Sequence, residues 1–211
     1  MANDDMIRAR GGLLPVDYPF GNFKKSYYRL TTGVAADNVF IGMPVDLNSS
    51  GRVTTALAIA TSATTLLGAV VGFSDTAYSA LPTAMETTTA GAYLPGNTDA
   101  YVLVADDPNQ VFIIQEDTGG TALAETNIGN SVTMTYRSSS GDTTTGYSTI
   151  ELDRSSAGTG TGGNLMIMNL GRNMNSDGSD NAVGNYGKWI VRITNHRFAS
   201  AIGQFQGGNP V

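Results

Sequence analysis

Tyr93–Asp117 reads YLPGNTDAYVLVADDPNQVFIIQED, and the fold is decided there. Two apolar runs, Tyr101–Ala105 and Val111–Ile114, flank ADDPNQ. Pro108 presets its own φ for a turn, and Asp106, Asp107 and Asn109 can bond nearby backbone. The runs are rich in Val, Ile, Phe and Tyr and too short for helices, which predicts two strands. The short turn between them predicts an antiparallel hairpin at the centre of a β-core. Val102, Val104, Phe112 and Ile114 alternate with Tyr101, Leu103, Val111 and Ile113, so both faces are apolar. A strand of that kind is buried on both faces or meets another subunit.

Working outward, the same signals recur. Tyr28–Leu30, Val39–Ile41, Pro44–Leu47, Val53–Ala60 and Leu66–Phe73 read as strands before the centre, with Asn48–Gly51 as a turn. After it come Val132–Tyr136, a short strand at Ile150 and Leu152, Leu165–Leu170, and Lys188–Thr194 with Trp189, Val191 and Ile193 on one face. Residues 121–130 form a short helix or loop. The stretches 74–92, 137–149, 155–163 and 172–187 read as long surface loops. Residues 1–26 show no period of 2 or 3.6 and read as an extended N-terminal arm, leaving 27–211 as the β-domain.

Composition supports this division. A chain of 211 residues suits one domain with an arm. The charged share of 14% is well below the usual quarter, and Gly is enriched at 26 residues, which suits strands joined by tight turns rather than helical bundles. The net charge of −6 argues against a nucleic-acid partner. Basic residues nevertheless crowd the start, at Arg8, Arg10, Lys24, Lys25 and Arg29. With Tyr18, Phe20 and Phe23 among them, the arm is built to lie on a neighbour. Met1–Gly12 has no apolar run, so no secretory leader is expected. Thr54–Phe73 carries too many Thr and Gly for a membrane helix, and no membrane partner is expected.

Little in the chain offers chemistry. The absence of cysteine removes disulfides, thiolate catalysis and Cys-ligated zinc. The single histidine, His196, lacks a Ser elbow for a triad and reads as a surface or interface residue. Asn173–Gly178 spaces oxygen ligands as a calcium loop does. Asn stands first, though, and Gly184 takes the place of the bidentate Glu, so an Asx-rich turn is the better reading. Gly158–Gly163 leads into a strand, not a helix, and so is not a phosphate loop. Asp106–Asp107 and Glu116–Asp117 read as turn acids, not a glycosidase pair. No metal, no cofactor and no enzymatic activity are expected.

Several stretches together carry a family resemblance. RARGGLLPVDYPFGNFKKSYYRL (8–30) resembles an arm of the type Arg-Gly-Leu-x-Pro followed by an aromatic–basic segment. VFIGMPVDL (39–47) is similar to an Ile-Gly-Asp-Pro-Val-x-Leu strand turn, with Met43 where Asp is usual. LLGAVVGF (66–73), YVLVADDPNQVFIIQED (101–117) and the closing NLGRNMNSDGSDNAVGNYGKWIVRITNHRF (169–198) complete it. The chain resembles the capsid decoration (cement) proteins of tailed bacteriophages. The resemblance spans nearly the whole chain, with gaps at 74–92 and 137–163.

It implies a protein made in the host cytoplasm that binds the capsid exterior and stabilises it by bridging neighbouring major capsid proteins, as a homotrimer. The sequence therefore predicts an all-β protein, a single β-sandwich or β-tulip-like barrel with an N-terminal arm. The docking residues would be Arg8, Arg10, Tyr18, Phe20, Phe23, Lys24 and Lys25. The alternative is a carbohydrate- or receptor-binding head fibre.

Overall fold

A computed structural model describes residues 3, 11–16, 24–30, 38–55, 65–74, 93–158, 162–172 and 179–199. The chain is all-β. The described residues form eleven strands: β1 (Leu14–Pro15), β2 (Ser26–Leu30), β3 (Pro44–Leu47), β4 (Val53–Thr55), β5 (Gly68–Ser74), β6 (Ala100–Ala105), β7 (Val111–Gln115), β8 (Ser131–Gly141), β9 (Ser148–Gly158), β10 (Leu165–Leu170) and β11 (Lys188–Ile193). They form two units. One is a closed five-stranded barrel in the order β2-β4-β3-β5-β6, and the other a six-stranded sheet in the order β1-β7-β11-β10-β8-β9. Glu116 bridges Leu152, and the Asp117 N–H donates to the Leu152 carbonyl at 2.9 Å. The far strand β9 thus reaches back to the end of β7, and the sheet curls on itself.

The central pair departs from the expected hairpin. Both strands exist, but they do not pair with each other. β6 lies in the barrel between β2 and β5, while β7 lies in the sheet between β1 and β11. The turn at 106–110 therefore carries the chain from one sheet to the other. This explains the two apolar faces without any hairpin. Val102, Val104, Phe112 and Ile114 are all buried in one continuous core that the barrel and the sheet share.

The arm boundary also shifts. Leu13 is fully buried, its N–H donates to the Gly42 carbonyl at 2.8 Å, and Leu14 and Pro15 pair with Ile113 and Phe112 of β7. Residues 11–16 therefore belong to the body. Gly12 (φ +86°) and Gly42 (φ +81°) pass so closely that a Cβ on Gly12 would sit 2.3 Å from the Gly42 oxygen. Only glycine meets both demands, the left-handed backbone and the missing side chain. No periodic signal marks this segment, because a two-residue strand is shorter than any period.

Two expected loops are partly strand. β8 continues to Gly141 and β9 runs from Ser148 to Gly158, with Gly141 opposite Ser148 and Gly158 opposite Ser131. Hydroxyls sustain this hairpin where apolar alternation ends. Ser148 Oγ donates to the Ser140 carbonyl at 3.0 Å, Thr149 Oγ1 donates to the Ser139 carbonyl, and Ser156 Oγ accepts the Thr133 N–H at 2.9 Å. The predicted strands 44–47 and 165–170 stand as read, and Trp189, Val191 and Ile193 share the core face. The segment 121–130 holds one 3-10 turn, Glu125–Asn127. The loop 74–92 lies almost wholly outside the described residues.

Val104→Asp would place an unpaired charge at a site with no exposure, and should cost several kcal/mol. Gly12→Ala should do the same through backbone clash. Chemical denaturation of each variant checks both, and a loss under about 1 kcal/mol for either would contradict this packing.

Candidate functional site: the N-terminal contact segment and the buried polar clasp

Of the residues expected to dock, Arg8, Arg10, Tyr18, Phe20 and Phe23 lie outside the described residues. Lys24 and Lys25 are exposed and stand immediately before β2. The described points around them are fixed. Gln110 Nε2 donates to the Val16 carbonyl at 2.9 Å, and the Val16 N–H donates to Val111 at 3.0 Å. On the other side, Ser26–Leu30 pairs along β6. The aromatic–basic stretch 17–25 thus connects two anchored strands, one in each unit. Further back, Asn3 is buried. Its Nδ2 donates to the Ala182 carbonyl at 2.7 Å, and its Oδ1 accepts the Ala182 N–H at 2.9 Å.

The acids of the central stretch divide into two kinds. Asp107 is a turn acid, as expected: its Oδ1 accepts the Asn109 N–H at 2.8 Å. Asp106 is buried and accepts the Tyr28 hydroxyl at 2.6 Å, which ties the crossover to β2. Burial, then this carboxylate, raise the Tyr28 phenol far above its ordinary range.

Glu116 is not a turn acid. It is fully buried, its Oε2 accepts the Leu123 N–H at 3.0 Å, and its Oε1 lies 3.9 Å from Arg154 Nη1. Arg154 is itself almost fully buried. It donates to the carbonyls of Thr118 (2.7 Å), Gly119 (2.9 Å) and Gly120 (2.8 Å), and to Asn185 Oδ1 (2.9 Å). Asn185 in turn offers its carbonyl to Asn3 at 3.2 Å. This is a clasp: one guanidinium gathers three carbonyls of the 118–120 turn and closes the end of the curled sheet. Arg154 is shared among these acceptors and Asp117, whose Oδ1 lies 3.7 Å from its Nε, so it compensates Glu116 only weakly. Burial therefore pushes the Glu116 carboxyl up to about 7, against the Leu123 N–H and Arg154. The Trp189 indole N–H adds a small opposing pull without forming a good hydrogen bond.

No sequence signal marked Glu116. Its partner Arg154 stands 38 positions away on another strand, and nothing local pairs them. His196, read as a surface or interface residue, is buried within the chain at 1% exposure. The calcium-like stretch 173–178 lies outside the described residues. Beside it, Asn181 holds the loop through the Gly171 and Lys188 carbonyls at 2.7 and 2.9 Å. A cleft of about 370 Å³ opens there, lined by Glu125, Leu170, Arg172 and Asp180. Among the described residues no group of three or more histidine or acidic side chains is placed to hold a metal ion. No helix among them is long and apolar enough to cross a membrane.

Set against models of known protein families and against curated proteins, the chain matches none.

The raised Glu116 carboxyl has a defined pH signature. The folded state holds this proton more tightly than the unfolded chain, so the group's contribution is complete below about pH 4.5 and is lost as pH rises through about 7. The loss is at most about 3 kcal/mol, at ~1.4 per pKa unit. Glu116→Gln keeps an acceptor for the Leu123 N–H and removes the titration. Its melting temperature should fall less than that of the unaltered protein between about pH 5 and pH 8. Parallel curves for the two proteins would show that Glu116 is ionised throughout.

Proposed function

We propose that this chain is a virion structural protein that binds the outer surface of a tailed-phage capsid. It stabilises the shell by bridging neighbouring major capsid proteins, and it acts as a homotrimer through contact, without a catalytic step. The reading rests on the resemblance of its sequence stretches to capsid decoration proteins. The observation that carries it is the exposed Lys24–Lys25 pair at the root of β2, on a protein with a net charge of −6.

The anchoring of both flanks refines the mechanism. A free arm would lose its full chain entropy on docking. A stretch held by β1 on one side and β2 on the other has already lost part of it, so less of the contact energy goes into ordering. Tyr18, Phe20 and Phe23 supply apolar area, and the lysines pair with carboxylates on the shell. A receptor-binding head fibre would instead call for an exposed aromatic platform. The only tryptophan, Trp189, has no exposure.

Because 11–16 belong to the body, removing residues 1–26 would damage the fold together with the contact. The cleaner variants are Lys24→Glu/Lys25→Glu and Phe20→Ala/Phe23→Ala. Each should leave the melting temperature nearly unchanged. Each should also weaken co-sedimentation with undecorated heads by about tenfold or more, ~1.4 kcal/mol. The charge-reversed form should lose the salt dependence of binding. Undiminished binding by both would overturn the docking role of this stretch, and failure of the unaltered protein to sediment with heads would overturn the function.

A further inference from the structure

His196 sits where the last strand of the curled sheet meets the barrel. The Leu66 N–H donates to the Asn195 carbonyl at 2.9 Å, and the Arg197 N–H donates back to the Leu66 carbonyl at 2.8 Å. Leu66 leads directly into β5, and Leu67 is bonded to Val45 of β3 at 2.7 Å. The residues after β11 therefore form a seam between the two units. Within it the imidazole is buried at 1% exposure, and its Nδ1 accepts the Phe198 N–H at 3.1 Å. An accepting Nδ1 carries no proton. In the neutral ring the proton is on Nε2, which has no well-formed hydrogen bond among the described residues.

This arrangement accepts the neutral ring only. A second proton would go onto Nδ1, facing the Phe198 N–H donor, and would put a full charge where the ring is dry. We propose that His196 is a proton-operated latch: its protonation at Nδ1 breaks the bond to Phe198 and releases 198–199 from the seam between sheet and barrel. The charged groups that bear on it are Asp106 and Asp107 of the crossover and Lys24 before β2. The two acids and the Leu67 backbone favour the charged ring, and Lys24 opposes it. Burial outweighs them and holds the imidazole below its ordinary range. Next to it, Arg197 is clamped to Asp46 of β3 by two bonds and to the Leu47 carbonyl at 3.0 Å. The clamp confines the opening to the residues beyond it, so Phe198 frees before Arg197.

The sign follows from the direction of the shift. A histidine held neutral by the fold contributes stability that is present above its unfolded value of about 6.5 and is lost as pH falls. This slope runs opposite to that of Glu116, and a whole-molecule melting curve mixes the two. A local measurement separates them.

The chain has a single histidine, so one imidazole resonance reports it in NMR. That resonance should titrate below about 6.5. Over the same range the Phe198 amide should lose its protection from hydrogen exchange by about tenfold or more, corrected for intrinsic rate, while β8 and β10 amides keep theirs. His196→Asn retains an acceptor two residues before the Phe198 N–H and cannot titrate, so its Phe198 protection should stay flat. If that variant does not fold, the comparison within the unaltered protein still decides. Phe198 protection unchanged through the titration would overturn the latch. So would a loss shared by the β8 and β10 amides, because that is global unfolding.

Discussion

Five residues, Asp106 to Gln110, must take the chain out of one sheet and into another while both neighbouring strands stay buried on both faces. Everything nearby serves that passage. The crossover begins and ends in buried positions, Asp106 and Gln110, where each unpaired polar group would be costly, and its middle, Asp107 to Asn109, reaches toward solvent. The passage answers with side chains. Tyr28 reaches Asp106 from β2, Asp107 closes the turn, and Gln110 Nε2 joins the Val16 and Val111 carbonyls at 2.9 and 2.6 Å. The barrel and the curled sheet are joined through a turn whose two ends, Asp106 and Gln110, are buried while Asn109 reaches solvent.

The opposite end of the sheet meets the same need with charge. Arg154, nearly buried, engages three carbonyls of the exposed 118–120 turn with its guanidinium, which pins that turn to the sheet. Its neighbour Glu116 bears the cost as a carboxyl held back from ionisation. A perturbed acid of this kind invites a catalytic reading. Here the carboxyl is fully buried and faces a backbone N–H, a guanidinium already engaged and an indole.

Much of the fold was legible in the sequence, and the failures share a cause. Apolar runs located β6, β7 and β10, and alternation of Trp189, Val191 and Ile193 located β11. Partnership left no such trace. The turn ADDPNQ has the chemistry of a hairpin, yet its strands pair with β2, β5, β1 and β11, all distant in sequence. The arm reading failed at Leu13–Pro15 for the same reason, since a two-residue strand becomes one only when β7 lies beside it. The serine-rich ends of β8 and β9 were invisible because hydroxyl-to-backbone bonds hold them, not periodic burial. Lys24 and Lys25 were singled out by charge asymmetry alone, and the structure places both exposed before β2. Glu116 and the burial of His196 depend on long-range packing.

The placement of β1 sets the order of events when the chain folds. Leu14 and Pro15 pair with residues about one hundred positions later, and Asn3 bonds to Ala182 across a separation of 179. During synthesis these first residues emerge long before their partners exist. The edge of β7 must in turn form before the strand that covers it can dock. Closing such long loops places the entropy cost ahead of the contacts that reward it, which makes folding slow and largely post-translational. Until β1 docks, β7 presents an open, strongly apolar edge, the kind that pairs with other chains. A segment that adds only two ladder residues therefore closes the β7 edge in the finished fold, and the nascent protein is open to pairing with other chains until it docks.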